Sequence, residues 1–163
     1  MSRPTEGKLF PFVHARRVKW GESDPARIAY TARFLDFSMD AIEAFLLDRL
    51  GAGFYELNVD RGVGTPFVHV ELDFRSPLTP RDELETEVRL VRLGGGSLGF
   101  AVRGRVGERL AFEGRMVCAI AEIGGTAIRA TRVPDWIRAG LRADAEFAGA
   151  EEHDIGATSP AAV

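Results

Sequence analysis

The chain has 163 residues, a formal net charge of −3, 45% hydrophobic residues and one cysteine. That length suffices to bury one core without disulfides or metals, and a single thiol excludes an internal disulfide. A mildly acidic chain offers no broad surface for nucleic acid, so any anionic ligand needs a local cluster of arginines.

The leading segment, Met1 to Pro11, carries no long apolar stretch and does not read as a signal peptide. No window approaches the ~18 to 20 apolar residues of a membrane span, so no membrane partner is expected and a reducing, cytoplasmic location is. Val18 and Trp20 alternate with Arg17 and Lys19, which predicts a first strand ending at Gly21. Asp24-Pro25 then signals a turn. Phe34, Leu35, Met39, Ile42, Phe45, Leu46 and Leu50 recur at three- and four-residue steps, which predicts a long buried helix. Thr31 stands where an N-cap belongs, and Gly51 where a helix stops. Ala52–Gly64 reads as a loop with a short helical turn around Tyr55–Val59.

Val68, Val70, Leu72 and Phe74 alternate with polar residues and predict a strand. Leu84 to Leu90 repeats the pattern, a strand starts at Leu98, and Leu110 to Ile123 forms a further long one. Gly94–Gly96, Gly107-Glu108 and Gly124-Gly125 mark the turns between strands, and Thr126 to Val133 returns. Cys118 falls in an apolar run and reads as a buried structural thiol. Pro134 can open a short closing helix through Leu141. The order predicts an α+β fold: one long buried helix on one face of an antiparallel sheet of about five strands. Residues 1–142 read as one domain. The polar stretch 143–163, rich in alanine, glycine and acidic residues, reads as a mobile tail.

The segment Trp20-Gly21-Glu22-Ser23-Asp24-Pro25-Ala26-Arg27-Ile28-Ala29-Tyr30 resembles the signature of 4-hydroxybenzoyl-CoA thioesterases of the Pseudomonas type. Two further segments, Arg61-Gly62-Val63-Gly64-Thr65-Pro66-Phe67-Val68 and Val133-Pro134-Asp135-Trp136-Ile137, are similar to that family in the same order. The resemblance, which covers roughly Val13 to Leu141, implies a hotdog fold and hydrolysis of an acyl-coenzyme A. It also implies a homodimer or a homotetramer built as a dimer of dimers, with sites shared between subunits. Asp24 matches the nucleophile or general base, and the backbone N–H of Thr31 the oxyanion donor. Tyr30, Met39 and Thr65 match substrate-binding positions, with Thr65 reaching the acyl pocket of a neighbouring subunit.

The residues alone agree in part. Thioester hydrolysis needs an attacking or water-activating group and a donor for the developing oxyanion. A carboxylate in the turn before a helix N-terminus offers both, because the first helical N–H groups lack intrahelical acceptors. A simple Asp-Pro turn would also account for Asp24, and Glu22 is the nearest competing carboxylate, although a salt-bridged or solvated glutamate explains it as well. His14, His69 and His153 lack metal-ligand spacing, so neither a metal nor another cofactor is expected.

Two departures bear on the substrate. The family position that contacts the 4-hydroxyl falls on Met39, so an aromatic, benzoyl-like acyl group or a medium aliphatic one is expected in preference to a phenol. The family's basic cluster for the CoA nucleotide falls on Gly94–Gly96, leaving Arg92, Arg103 or the Arg129/Arg132 pair as replacements. That loss keeps open a thioesterase acting on acyl carrier protein; a non-catalytic acyl-binding hotdog protein is a further alternative, against which the retention of Asp24 argues. A hydratase is disfavoured because Glu22–Leu50 holds no histidine.

Overall fold

The computed structural model describes residues 8–124 and 127–150. Strand β1 (Phe12–Arg17) leads through a single 3-10 turn (Trp20–Glu22) to helix α1 (Arg33–Leu50). A π-helical turn (Glu56–Asp60) follows, then β2 (Val63–Gly64), β3 (Phe67–Phe74), β4 (Glu83–Leu93), β5 (Ser97–Val106) and β6 (Arg109–Ala119). The short strands β7 (Ala121–Gly124) and β8 (Ala127–Ala130) precede helix α2 (Asp135–Ala148). A five-stranded antiparallel sheet runs in the order β1-β4-β5-β6-β3, and β2-β7-β8 form a separate three-stranded one. The large sheet carrying one long helix is the hotdog arrangement that the family resemblance implies.

Helix α1 buries Phe34, Phe37, Ala41, Ile42, Phe45 and Leu46 along one stripe. The sheet answers with Leu84, Val88 and Leu90 from β4, Phe100 from β5, and Phe112 and Met116 from β6, all in the same core. Each such large side chain contributes about 1.5–3 kcal/mol over an exposed one. The stripe is narrower than the sequence suggests, since Leu35 and Leu47 face solvent. Gly51 ends the helix in the left-handed region at φ 66°, where no Cβ is penalised, and gives its N–H to the Leu47 carbonyl. At the same end the Arg49 Nε donates to both carboxylate oxygens of Asp144, at 3.0 and 2.9 Å. Burial pushes the Asp144 carboxyl above its ordinary range, against the pull of Arg49.

Several boundaries differ from the sequence pattern. The first strand lies upstream, at Phe12–Arg17, and the Val18–Trp20 alternation is not a strand. The Glu22 carboxylate accepts the Lys19 N–H at 2.7 Å, turning the chain and leaving Trp20 exposed. Thr31 is not the N-cap; that position belongs to Ala32, whose side chain makes no cap bond. The long strand expected to Ile123 breaks at Ile120, whose N–H goes to the Gly96 carbonyl, and β7 continues in the other sheet. Gly125 and Thr126, expected at the turn and the start of the return strand, lie outside the described residues. Helix α2 runs past Leu141 to Ala148, because Asp144 and Ala145 turn inward and are buried. Of the expected tail, residues 151–163 lie outside the described residues. Cys118 is buried, as its apolar run predicts.

Candidate active site

Asp24 sits in a closed turn that the backbone ties on both sides. Its N–H donates to the Ile28 carbonyl at 2.9 Å, and its own carbonyl accepts the Arg27 N–H at 2.8 Å. Ser23 and Ala29 pair as an antiparallel bridge across the base. The Asp24 Oδ1 accepts the Ala26 N–H at 2.8 Å, an Asx turn that leaves Oδ2 without a hydrogen bond among the described residues. Arg27 adopts φ 66°, the one left-handed non-glycine among the described residues.

The turn is anchored to the body of the fold. The Arg16 guanidinium pairs with Glu22, pairs with Asp40 on α1 at 2.6 Å, and lies over the Phe37 ring at 4.7 Å. The Tyr30 N–H donates to the Glu22 carbonyl and the Ala29 N–H to the Leu78 carbonyl, at 2.9 and 2.7 Å. Glu22 is therefore committed to an ion pair, the structural reading of that carboxylate. Beyond the turn, the carbonyls of Tyr30, Thr31 and Ala32 accept the first helical N–H groups. Among the described residues, the N–H groups of Thr31 and Ala32 themselves reach no acceptor. A carboxylate oxygen and two free N–H donors thus flank the entry to α1, with Asp24 half-buried and Thr31 exposed.

Met39 and Thr65 meet elsewhere. They share a hollow of about 300 Å³ with Phe54, Asn58, Pro66, Phe67, Ile123 and Ile128. Its walls include neither Asp24, Tyr30 nor Thr31. Within one chain the sequence-derived residues therefore fall into two groups: Asp24, Tyr30 and Thr31 before the helix, and Met39 and Thr65 on the hollow. Tyr30 is 56% exposed. The sequence reading missed Asn58, Ile123 and Ile128. Only the fold brings the π-helical turn against the β7-β8 hairpin, although the short turn itself was legible around Tyr55–Val59.

Among the other candidates, Asp36 pairs with Arg33 and Asp40 with Arg16, so neither faces the hollow. His69 is exposed near Glu71. His14 lies in a wider groove beside β1, and burial holds its imidazole below the usual range. His153 lies outside the described residues. Arg103 pairs with Glu113 on the outer sheet face. Arg92 instead lies against Gly94 with its Nε buried and unpartnered, and Arg138 donates to the Gly94 carbonyl at 2.9 Å. No group of three histidine, cysteine or acidic residues placed to hold a metal occurs among the described residues, and no helix among them is long and apolar enough to cross a membrane.

Residues 18–141 match the family model described as the thioesterase-like superfamily. Two curated 1,4-dihydroxy-2-naphthoyl-CoA hydrolases, from Synechococcus elongatus and Synechococcus sp., are 35% identical over 80 residues. That match spans 48% of this chain and 58% of the length of each relative. A solved structure of a thioesterase superfamily protein from Jannaschia sp. CCS1 superposes with a TM-score of 0.77 at 36% identity, covering 88% of this chain and 96% of that one. A 1,4-dihydroxy-2-naphthoyl-CoA thioesterase from Synechocystis, at 16% identity, shares the fold with a TM-score of 0.72 over 80% of this chain and 95% of its own.

Proposed function

The chain belongs to the thioesterase-like superfamily, and from that premise we propose that it hydrolyses acyl-coenzyme A to a carboxylic acid and free CoA. The observation that carries this reading is that the turn leading into α1 carries both a carboxylate oxygen of Asp24 and the N–H groups of Thr31 and Ala32, none of them hydrogen-bonded among the described residues. The Asp24 carboxylate attacks the thioester carbonyl carbon, or takes a proton from the water that does. The carbonyl oxygen becomes an oxyanion and gathers the Thr31 N–H, where preorganised donors stabilise it most. Collapse of the tetrahedral centre expels the CoA thiolate. If the carboxylate attacked directly, water then cleaves the acyl-aspartyl anhydride.

The acyl group is an aromatic, benzoyl-like unit or a medium aliphatic one. It enters the hollow of Met39 and Thr65, whose remaining wall is largely apolar, while Tyr30 flanks the entrance. The hydrolases similar to this chain are named for a hydroxylated aromatic acyl-CoA, which supports the aromatic class. Arg92 and Arg138 stand at the Gly94–Gly96 hairpin, a location suited to the phosphates of CoA because guanidinium groups match phosphate geometry.

The two groups of site residues become one site if Asp24 of one copy faces the hollow of another, which supports a homodimer. Strand β3 supports it too: it stands at the sheet edge, and its Val68 and Val70 are exposed. A dimer of two such pairs gives the homotetramer, and a cytoplasmic location suits CoA chemistry.

A panel of acyl-CoAs assayed for free thiol release tests the reading, with the same acyl groups on acyl carrier protein as a comparison. Asp24→Asn should lower kcat at least ~100-fold, the lower range for losing an acid–base group, while KM and folding change little. Near wild-type turnover in that variant would sink the mechanism, and binding without any turnover by the wild type would leave an acyl-binding protein.

A further inference from the structure

The hollow holding Met39 and Thr65 is apolar except for two groups, Asn58 and Thr65. Asn58 sits at the centre of the π-helical turn Glu56–Asp60, closed by the bond from the Arg61 N–H to the Glu56 carbonyl at 3.1 Å. Such wide turns are uncommon and recur at functional positions. Here Leu57 enters the core while its neighbour Asn58 stays half-buried on the hollow wall.

The orientation of the Asn58 amide follows from its partner. Its Nδ2 lies 2.7 Å from the Phe54 carbonyl. A carbonyl only accepts, so the atom facing it must be the NH2 group, and the other end of the amide is an oxygen. That oxygen takes no hydrogen bond among the described residues. Thr65 is buried in the chain, and its hydroxyl is likewise unclaimed among the described residues. The wall therefore presents one fixed acceptor and one group that can donate or accept.

An unsubstituted acyl group filling this hollow would strip water from the Asn58 oxygen and return nothing. A buried acceptor left unpaired costs more than a typical hydrogen bond gains. A hydroxyl on the acyl group removes that penalty. We propose that Asn58, with Thr65, reads a hydroxyl on an aromatic acyl group, and that hydroxylated aromatic acyl thioesters are the preferred substrates. Met39 on the same wall has no hydrogen to give and only a weakly accepting sulfur, so a ring hydroxyl is left to Asn58 and Thr65. The proposal rests on the thioesterase reading and assigns its acyl specificity.

The test compares benzoyl-CoA with the 2-, 3- and 4-hydroxybenzoyl-CoAs on the wild type and on Asn58→Leu, which keeps the size and loses the acceptor. At least one of the hydroxy thioesters should exceed benzoyl-CoA in kcat/KM by about fivefold or more. In Asn58→Leu that ratio should fall to about one. Thr65→Val, which exchanges a hydroxyl for a methyl, should lower the same ratio and carries the test if the leucine variant does not fold. A ratio unchanged in the variants, or no preference in the wild type, overturns the proposal. Calorimetric titration with the free benzoic and hydroxybenzoic acids reads the hollow without turnover. The favoured hydroxy acid should bind about fivefold more tightly than benzoate to the wild type, and equally to Asn58→Leu. A wild type that cleaves none of the thioesters refutes the thioesterase reading; if its titration also shows equal affinities, the Asn58 proposal falls as well.

Discussion

Replacing Asp144 by alanine should destabilise the fold, because it breaks a buried ion pair from one side. The Arg49 side chain is 2% exposed and that of Asp144 5%, so removing the carboxylate strands a guanidinium away from water. Breaking a buried pair from one side costs about 3–5 kcal/mol. The lower figure applies here, because Arg49 keeps an ion pair with Asp48 and a bond to the Leu9 carbonyl at 2.7 Å. At about 2–4 °C per kcal/mol for a chain of this size, Tm should fall by about 6–12 °C. The double variant Arg49→Met, Asp144→Leu should recover most of that loss, since two apolar groups leave no stranded charge and the methionine keeps contact with the Phe10, Phe12 and Phe45 rings beneath Arg49. Differential scanning calorimetry reads both variants. Helix α1 has 18 residues, so this pair lies about 25 Å from the Thr31 end, and turnover per folded chain should hold. An Asp144→Ala protein melting within about 2 °C of the wild type would refute the argument from burial.

Burial raises the Cys118 thiol to about 12 from an ordinary 9.0, so the folded chain should resist thiol reagents at pH 8 and react only in denaturant; rapid stoichiometric labelling of the native protein would contradict this. Because the folded-state value is the higher one, the thiol's contribution to stability is complete below pH 9 and is lost as pH rises toward 12; Cys118→Ala should flatten that alkaline decline in urea titrations. If Asp24 of one copy serves the hollow of another, two inactive proteins should rescue each other: Asp24→Asn mixed with a chain whose hollow is filled by Thr65→Trp, unfolded and refolded together, should regain about a quarter of wild-type activity, the share expected when half the dimers are mixed and each holds one intact site. No regain above the separate proteins would exclude the shared site.

Much of this fold is written in local patterns. The alternation in Leu84, Thr86, Val88 and Leu90 survives as a buried face of β4, and the three- and four-residue spacing from Phe34 to Leu46 survives as the buried stripe of α1. Where the patterns misled, a specific bond overruled them. Val18 and Trp20 alternate as a strand would, but Glu22 reaches back to Lys19 and closes a turn. Leu110 to Ile123 reads as one strand, yet the Ile120 N–H is taken by Gly96 and the chain changes sheets. Asp24 and Thr31 were legible as neighbours because the turn joining them is local. The place of Asn58 on the hollow was not, because it depends on β7 and β8 arriving some 65 to 70 residues later in the chain.

Strand β3 pairs on one side only, with β6. Of the usual guards of an exposed edge, β3 carries a bulge between Phe67 and His69 and the charged Glu71 and Asp73, but no lysine or proline. That side of the strand is open to any extended segment that meets it. Such pairing needs two chains to meet, so a concentrated preparation should lose material to precipitation faster than a dilute one.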